Sequence, residues 1–244
     1  MRRRLRTGDA LIVVMAMGVL AMGAATPAGA AATTVLADWQ MNESAGARTM
    51  VDGSGNRIDG AIGSAVITGV VVNGATGYRW LFTKPNQPPP KPERLVKVSD
   101  GRLNPGTGDF AVTIRFRLTN SFGNIIQKGQ SGAKGGYFKW EIPNGRLTCL
   151  FKGVGAGGGF LVRTVNSGTT RLNDGAWHTV RCERTSGGVT MTIDGTTTRT
   201  TNGWSGSISN NVPLTIGGKL NCNQTSITCD YFTGNIDFVR IETG

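Results

Sequence analysis

Hydrophobic and polar positions along this chain alternate with a period of two in stretch after stretch, and no segment carries an apolar stripe at helical spacing. Over 109–118, Phe110, Val112, Ile114, Phe116 and Leu118 share one face. Ala111, Thr113, Arg115 and Arg117 occupy the other, which predicts a strand with one dry side and one wet side. Val189, Met191 and Ile193 alternate with Thr190 and Thr192 and run into Asp194-Gly195. That dipeptide marks a tight hairpin, because glycine accepts the positive φ that such turns require. Asp174-Gly175 introduces another such run, 177–184, which Ser186-Gly187-Gly188 closes. Further strands are predicted at 137–142, 147–152, 213–217 and 236–242. Heptads and a Gly-X-Y period are both absent, which excludes a long coiled coil and collagen. The pattern predicts an all-β chain.

The N-terminus reads differently. Arg2, Arg3, Arg4 and Arg6 precede an apolar run from Ala10 to about Ala25, followed by Ala28-Gly29-Ala30. A basic head, a short apolar core and an A-x-A site describe a secretory signal peptide over residues 1–30. The alternative, an uncleaved membrane anchor, needs about 20 apolar residues, and this run is shorter. The expected mature protein is therefore residues 31–244, secreted to the extracellular space, with no stable membrane insertion.

Composition sharpens the reading. The 244 residues include 37 glycines, and only 17% are charged. Their 26 Lys+Arg against 15 Asp+Glu give a net charge of +11. Cleavage after Ala30 removes four arginines and one aspartate and leaves +8. Such a surface attracts anionic polymers. The one histidine, His178, excludes multi-histidine metal centres. Four cysteines in an exported chain point to two disulfides among three possible connectivities. Cys222 and Cys229 bracket a short polar loop, while Cys149 and Cys182 lie in strand-like runs that can sit side by side. The expected bridges are Cys149–Cys182 and Cys222–Cys229. A four-cysteine zinc site lacks the C-x₂-C pairs it needs.

Five of the nine prolines fall within residues 83–95. Only about fifty mature residues precede that stretch, too few to bury a core of their own, so a long loop on one domain is expected rather than a linker. Many short antiparallel strands suit a single two-sheet sandwich or jelly roll.

Three motifs carry a family resemblance. Asp174-Gly175-Ala176-Trp177-His178-Thr179-Val180, followed by 188–195 (GVTMTIDG), resembles the signature hairpin of laminin G-like domains, which share the concanavalin A-like lectin/glucanase jelly roll. The opening 39–46 (WQMNESAG) with 52–56 (DGSGN) is similar to the family's first strand and its loop, and 232–241 (FTGNIDFVRI) to its closing strand. The resemblance runs from Leu36 to Glu242. The four cysteines and Gly-rich exported context are similar to secreted actinobacterial members. The resemblance implies one structural Ca²⁺ on the convex side, with Asp237 of the last strand as a ligand and Glu43 and Asp52 in the matching N-terminal loops. In that family the histidine of the Trp-His-Thr-Val strand is usually structural.

Fold alone does not assign activity. The family's hydrolases carry Glu-x-Asp on one strand, so that both carboxyls enter one cleft. No such pair occurs here. Alginate-type lyases show Tyr-Phe-Lys-x-Gly, which Tyr137-Phe138-Lys139-Trp140 matches only until Glu141, and the Gln-x-His counterpart is missing. No Gly-x-Ser-x-Gly elbow is present. Gly153-x-Gly155-x-x-Gly158 matches a dinucleotide fingerprint, but it separates two β-like runs where that motif needs a helix. The leading expectation is a non-catalytic, lectin-like module for extracellular or cell-wall polysaccharide, with anionic polymers favoured by the charge. Tyr137, Trp140 and Lys139 are its candidate ligand-binding residues. A polysaccharide-degrading enzyme (hydrolase or lyase) and a structural or adhesion protein that binds other proteins remain the alternatives. No nucleic-acid reading motif accompanies the charge.

Overall fold

The structure, a computed structural model, describes residues 34–81, 91–220 and 229–244. The signal-peptide segment, Cys222 and residues 82–90 of the proline-rich stretch lie outside the described residues. Among the described residues the only helical elements are short 3₁₀ turns, and no helix is long and apolar enough to cross a membrane.

The strands, in chain order, are β1 (Thr34–Trp39), β2 (Thr49–Met50), β3 (Gly60–Ile62), β4 (Ile67–Val72), β5 (Ala75–Trp80), β6 (Val96–Val98), β7 (Phe110–Arg117) and β8 (Asn124–Lys128). They continue with β9 (Tyr137–Glu141), β10 (Thr148–Val154), β11 (Phe160–Asn166), β12 (His178–Arg184), β13 (Gly188–Ile193), β14 (Thr197–Asn202), β15 (Leu214–Ile216) and β16 (Gly234–Thr243). They form two antiparallel sheets. The first has the order β14-β13-β12-β7-β16-β5-β4, with β1 also paired to β16; the second has the order β11-β10-β9-β8-β15-β6-β3-β2.

The alternation seen in the sequence becomes the sandwich. Phe110, Val112, Ile114 and Phe116 of β7 are all buried, while Thr113, Arg115 and Arg117 between them are half-buried on the outer face. From the opposite sheet Phe138, Trp140 and Phe151 meet them, with Phe110 and Phe138 ring centroids 5.2 Å apart. Trp140 stacks edge-on to Phe138 at 5.3 Å and to Phe151 at 5.5 Å. Each such ring removed from water contributes about 1.5–3 kcal/mol, so this interlock helps to hold the layers together.

Cys149 and Cys182 form the expected disulfide. They do not lie on neighbouring strands, however. Cys149 is on β10 of the second sheet and Cys182 on β12 of the first, so the bridge ties the two layers face to face. Period two explains this, since both residues occupy inward positions. Cys229 is disulfide-bonded as well.

The Asp194-Gly195 hairpin forms as expected, with φ of 50° and 71° and a closing bond from the Thr196 N–H to the Ile193 carbonyl at 3.1 Å. A second such turn, Asn73-Gly74 (φ 50° and 79°), joins β4 to β5. The Gly153–Gly158 run lies in the β10–β11 hairpin and is no phosphate loop.

Candidate functional site

The outer face of the second sheet is open where β9, β10 and β11 meet. Lys152 of β10 stands opposite Tyr137 of β9 on one side and Val162 of β11 on the other. Leu150 stands likewise between Lys139 and Thr164. These residues share one face because successive side chains of a strand alternate. Phe160 and Val162 are 48% and 44% exposed, an apolar pair set beside cations. The Lys152 ammonium lies 4.3 Å from the centre of the Phe160 ring and 5.9 Å from that of Tyr137. Lys139 pairs with Glu141 at 2.5 Å. Burial first, and the Glu141 carboxylate second, push the Tyr137 hydroxyl above its ordinary pKa, so it stays a neutral donor.

Two of the three expected ligand residues, Tyr137 and Lys139, therefore share this face. Trp140 does not. Its position has the opposite parity, its side chain is fully buried in the core, and a ligand on the face does not reach it. Lys128, a cation of the neighbouring strand β8, is also buried. Its ammonium donates to the Asn210 carbonyl at 2.9 Å and the Val212 carbonyl at 2.7 Å, bracing the 209–212 loop. Lys152 and Phe160 were missed. Extending the alternation of 147–152 to both faces, and across the glycine turn into the run from Phe160, would have placed them beside Tyr137.

The three carboxylates expected at a calcium ion have other work. Asp52 is buried, and its oxygens accept from the N–H groups of Asp38, Ser54 and Ile58 at 2.9 Å each. Burial alone raises its pKa, but these donors outweigh that and hold it below the usual carboxylate range. Glu43 accepts from the Tyr78 hydroxyl and from the Val51 N–H. Asp237 pairs with Arg115 at 2.6 Å. A Ca²⁺ ion needs six to eight oxygens converging on it, and here the three carboxylates are each turned to a different set of N–H, O–H or guanidinium donors. Among the described residues no group of three or more His, Cys, Asp or Glu is gathered for a metal. As placed, the three do not fit a shared cation.

His178 has carboxylates on both sides. Its Nδ1 lies 2.9 Å from Asp194 and its Nε2 3.0 Å from Asp174. With both ring nitrogens engaged, the imidazole is occupied as a clamp and offers no free nitrogen to a substrate.

The comparisons with known proteins agree with this architecture. The sequence profile of the laminin G domain matches residues 116–243, more than half of the chain. Laminin subunit alpha-1 of Mus musculus is 30% identical over 144 residues, 56% of this chain, and that stretch is 4% of the mouse protein's length. A botulinum neurotoxin type C structure, described as showing dependence of cell entry on two ganglioside molecules, superposes with a TM-score of 0.60 at 16% identity, covering 85% of this chain and 47% of that one. Domain 4 of AbnA, an extracellular arabinanase from Geobacillus stearothermophilus in complex with arabinotriose, superposes with a TM-score of 0.56 at 14% identity, covering 87% and 93%. At such identities the likeness is one of fold.

Proposed function

The chain belongs to the laminin G domain family, and from that premise we propose that it is a secreted, non-catalytic module that binds extracellular or cell-wall glycan through the outer face of β9–β11. The observation that carries this reading is the Lys152 ammonium over the exposed Phe160 ring, with Tyr137 on the same face and Lys139 there held by Glu141. Ring faces take the apolar faces of sugars, and ammonium groups take their carboxylate, sulfate or phosphate substituents. The net charge of the mature chain, +8, favours an anionic polysaccharide and speeds its approach. The fold is shared with domains whose structures are described with gangliosides or arabinotriose, which supports a sugar as the ligand class. Laminin G domains of the matched mouse protein are parts of a laminin, in keeping with an extracellular place of work.

The test is a panel of immobilised acidic and neutral polysaccharides, read for both retention and release of soluble product. Retention on acidic members, weakened about tenfold in Lys139→Ala/Lys152→Ala, is the expected result. Release of reducing or unsaturated sugar would make the protein an enzyme. Equal retention of the double variant would remove this face from the reading, and retention only by protein partners would leave an adhesion role.

A further inference from the structure

The outer face of the first sheet carries a groove of its own, apart from the β9–β11 face. It begins at a β-bulge. In the pairing of β16 with β7, Ile236 stands opposite Phe116 and Phe238 opposite Arg115, so Asp237 is an extra residue without a partner position. Ile236 and Val239 point inward and are fully buried, which leaves Asp237 and Phe238 both on the outer face. A bulge re-aims side chains in this way, and such irregularities gather at functional sites. The close approach of β5 preserves it. A Cβ on Gly77 would stand 2.3 Å from the Ile236 carbonyl oxygen, so only glycine fits there.

Two adjoining cavities of about 390 Å³ each open over the bulge and share Gln40 as their dividing ridge. Each is at the small-molecule end of the usual range for ligand sites. The first has the half-buried Arg115–Asp237 pair at its base, with Asn42, Asn73 and Thr76 around it. The guanidinium of Arg115 is held from behind by the Trp177 ring at 5.0 Å, so it is positioned before any ligand arrives. The second has Phe238 beside Arg181, Arg240 and Glu242.

The charges decide the ligand class. Arg115 is matched by Asp237, Arg181 by Glu242, and Arg240 by Asp38 at 2.8 Å. An anion would have to displace a carboxylate from each arginine, and a cation an arginine from each carboxylate, so the groove favours neither. What remains are planar amides, the hydroxyls of Thr76 and Thr113, paired charges and an aromatic ring. Each amide donates and accepts, a carboxylate accepts from two hydroxyls, and a guanidinium donates in a fork, the complement of vicinal hydroxyls. Phe238 offers an apolar surface to the C–H face of a ring. We propose that this groove is a second glycan site, independent of the β9–β11 face, that takes a neutral oligosaccharide of at least two sugar units, one in each cavity across Gln40.

The experiment is a calorimetric titration of the whole secreted protein with neutral trisaccharides of glucose (both α-1,4 and β-1,4), xylose, arabinose, mannose and galactose, each to about 10 mM. Binding of at least one is expected, weakened about tenfold or more in Gln40→Ala and in Phe238→Ala. The same affinity is expected in Lys139→Ala/Lys152→Ala, so failure here and failure of the β9–β11 reading are separate results. Gln40 is exposed, so its variant keeps the fold. No heat from any trisaccharide overturns the proposal. So does binding that Gln40→Ala and Phe238→Ala leave unchanged, that the lysine variant abolishes, or that a calcium chelator removes.

Discussion

The Nδ1 atom of His178 lies 2.9 Å from Oδ2 of Asp194, tying the first residue of β12 to the turn between β13 and β14. The other oxygen of Asp194 accepts the Thr179 N–H at 2.8 Å, so one carboxylate closes the corner of the family's signature hairpin. Burial alone lowers the imidazole pKa, but the carboxylates of Asp194 and Asp174 outweigh it and hold it above the ordinary value. A raised pKa in the folded state means the contribution is complete below about pH 6.5 and is lost as pH rises through the folded value. Melting temperature is therefore expected to fall between mildly acid and mildly alkaline pH, and His178→Gln to flatten that slope. Thermal melts of both proteins across that range check this, and parallel slopes would refute it.

The Cys149–Cys182 bridge closes a loop of 33 residues and pins one sheet to the other. Chain entropy assigns such a loop about 3–4 kcal/mol. Cys149→Ala/Cys182→Ala is expected to lower stability by at least that amount, since it also leaves a gap between the layers. Urea unfolding of the intact and double-variant proteins measures the difference.

Arg184 is a fully buried cation, and among the described residues no carboxylate is bonded to it. It donates to the Gly206 carbonyl at 3.0 Å and to the carbonyls of Pro105, Gly106 and Gly108, gathering two loops at one end of the sandwich. Burial presses its pKa down to about 10, against the pull of Asp109. Arg184→Met strands these carbonyls and is expected to cost about 3 kcal/mol or more, a fall of roughly 6–12 °C in Tm. Differential scanning calorimetry reads it directly, and a fall under 2 °C would contradict this account.

Gly77→Ala drives a methyl group into the Ile236 carbonyl beside the bulge. An overpacking cost of about 1–3 kcal/mol is expected. Displacement of the bulge should also disturb Asp237 and Phe238. Backbone amide shifts of 235–239 in an NMR spectrum, compared between the two proteins, test whether the bulge moves.

Much of this was legible in the chain itself. The parity of Phe110 to Leu118 assigned the dry face of β7, and Asp194-Gly195 marked the β13–β14 hairpin, because both signals are local and repeated. The pairing of Cys149 with Cys182 was also legible, whereas its role between layers was not, since strand neighbours are set by distant residues. Trp140 shows the same limit from the other side. An aromatic residue next to Tyr137 and Lys139 reads as part of a sugar platform, until alternation is applied and sends it into the core. The Asn73-Gly74 dipeptide was a clear turn signal left unused, and with it went the β4–β5 hairpin.

Local chemistry thus determined the kind of element, the wet and dry sides of each strand, the tight turns and the basic balance of the chain. Those depend on periods of two and on what glycine and aspartate do within a few bonds. The tertiary structure alone decided that Asp237 faces Arg115, that Lys128 is buried among carbonyls, and that Gln40 stands between two cavities. Each of these results from strands far apart in sequence meeting in one register, where a single bulged residue turns a side chain to the other face.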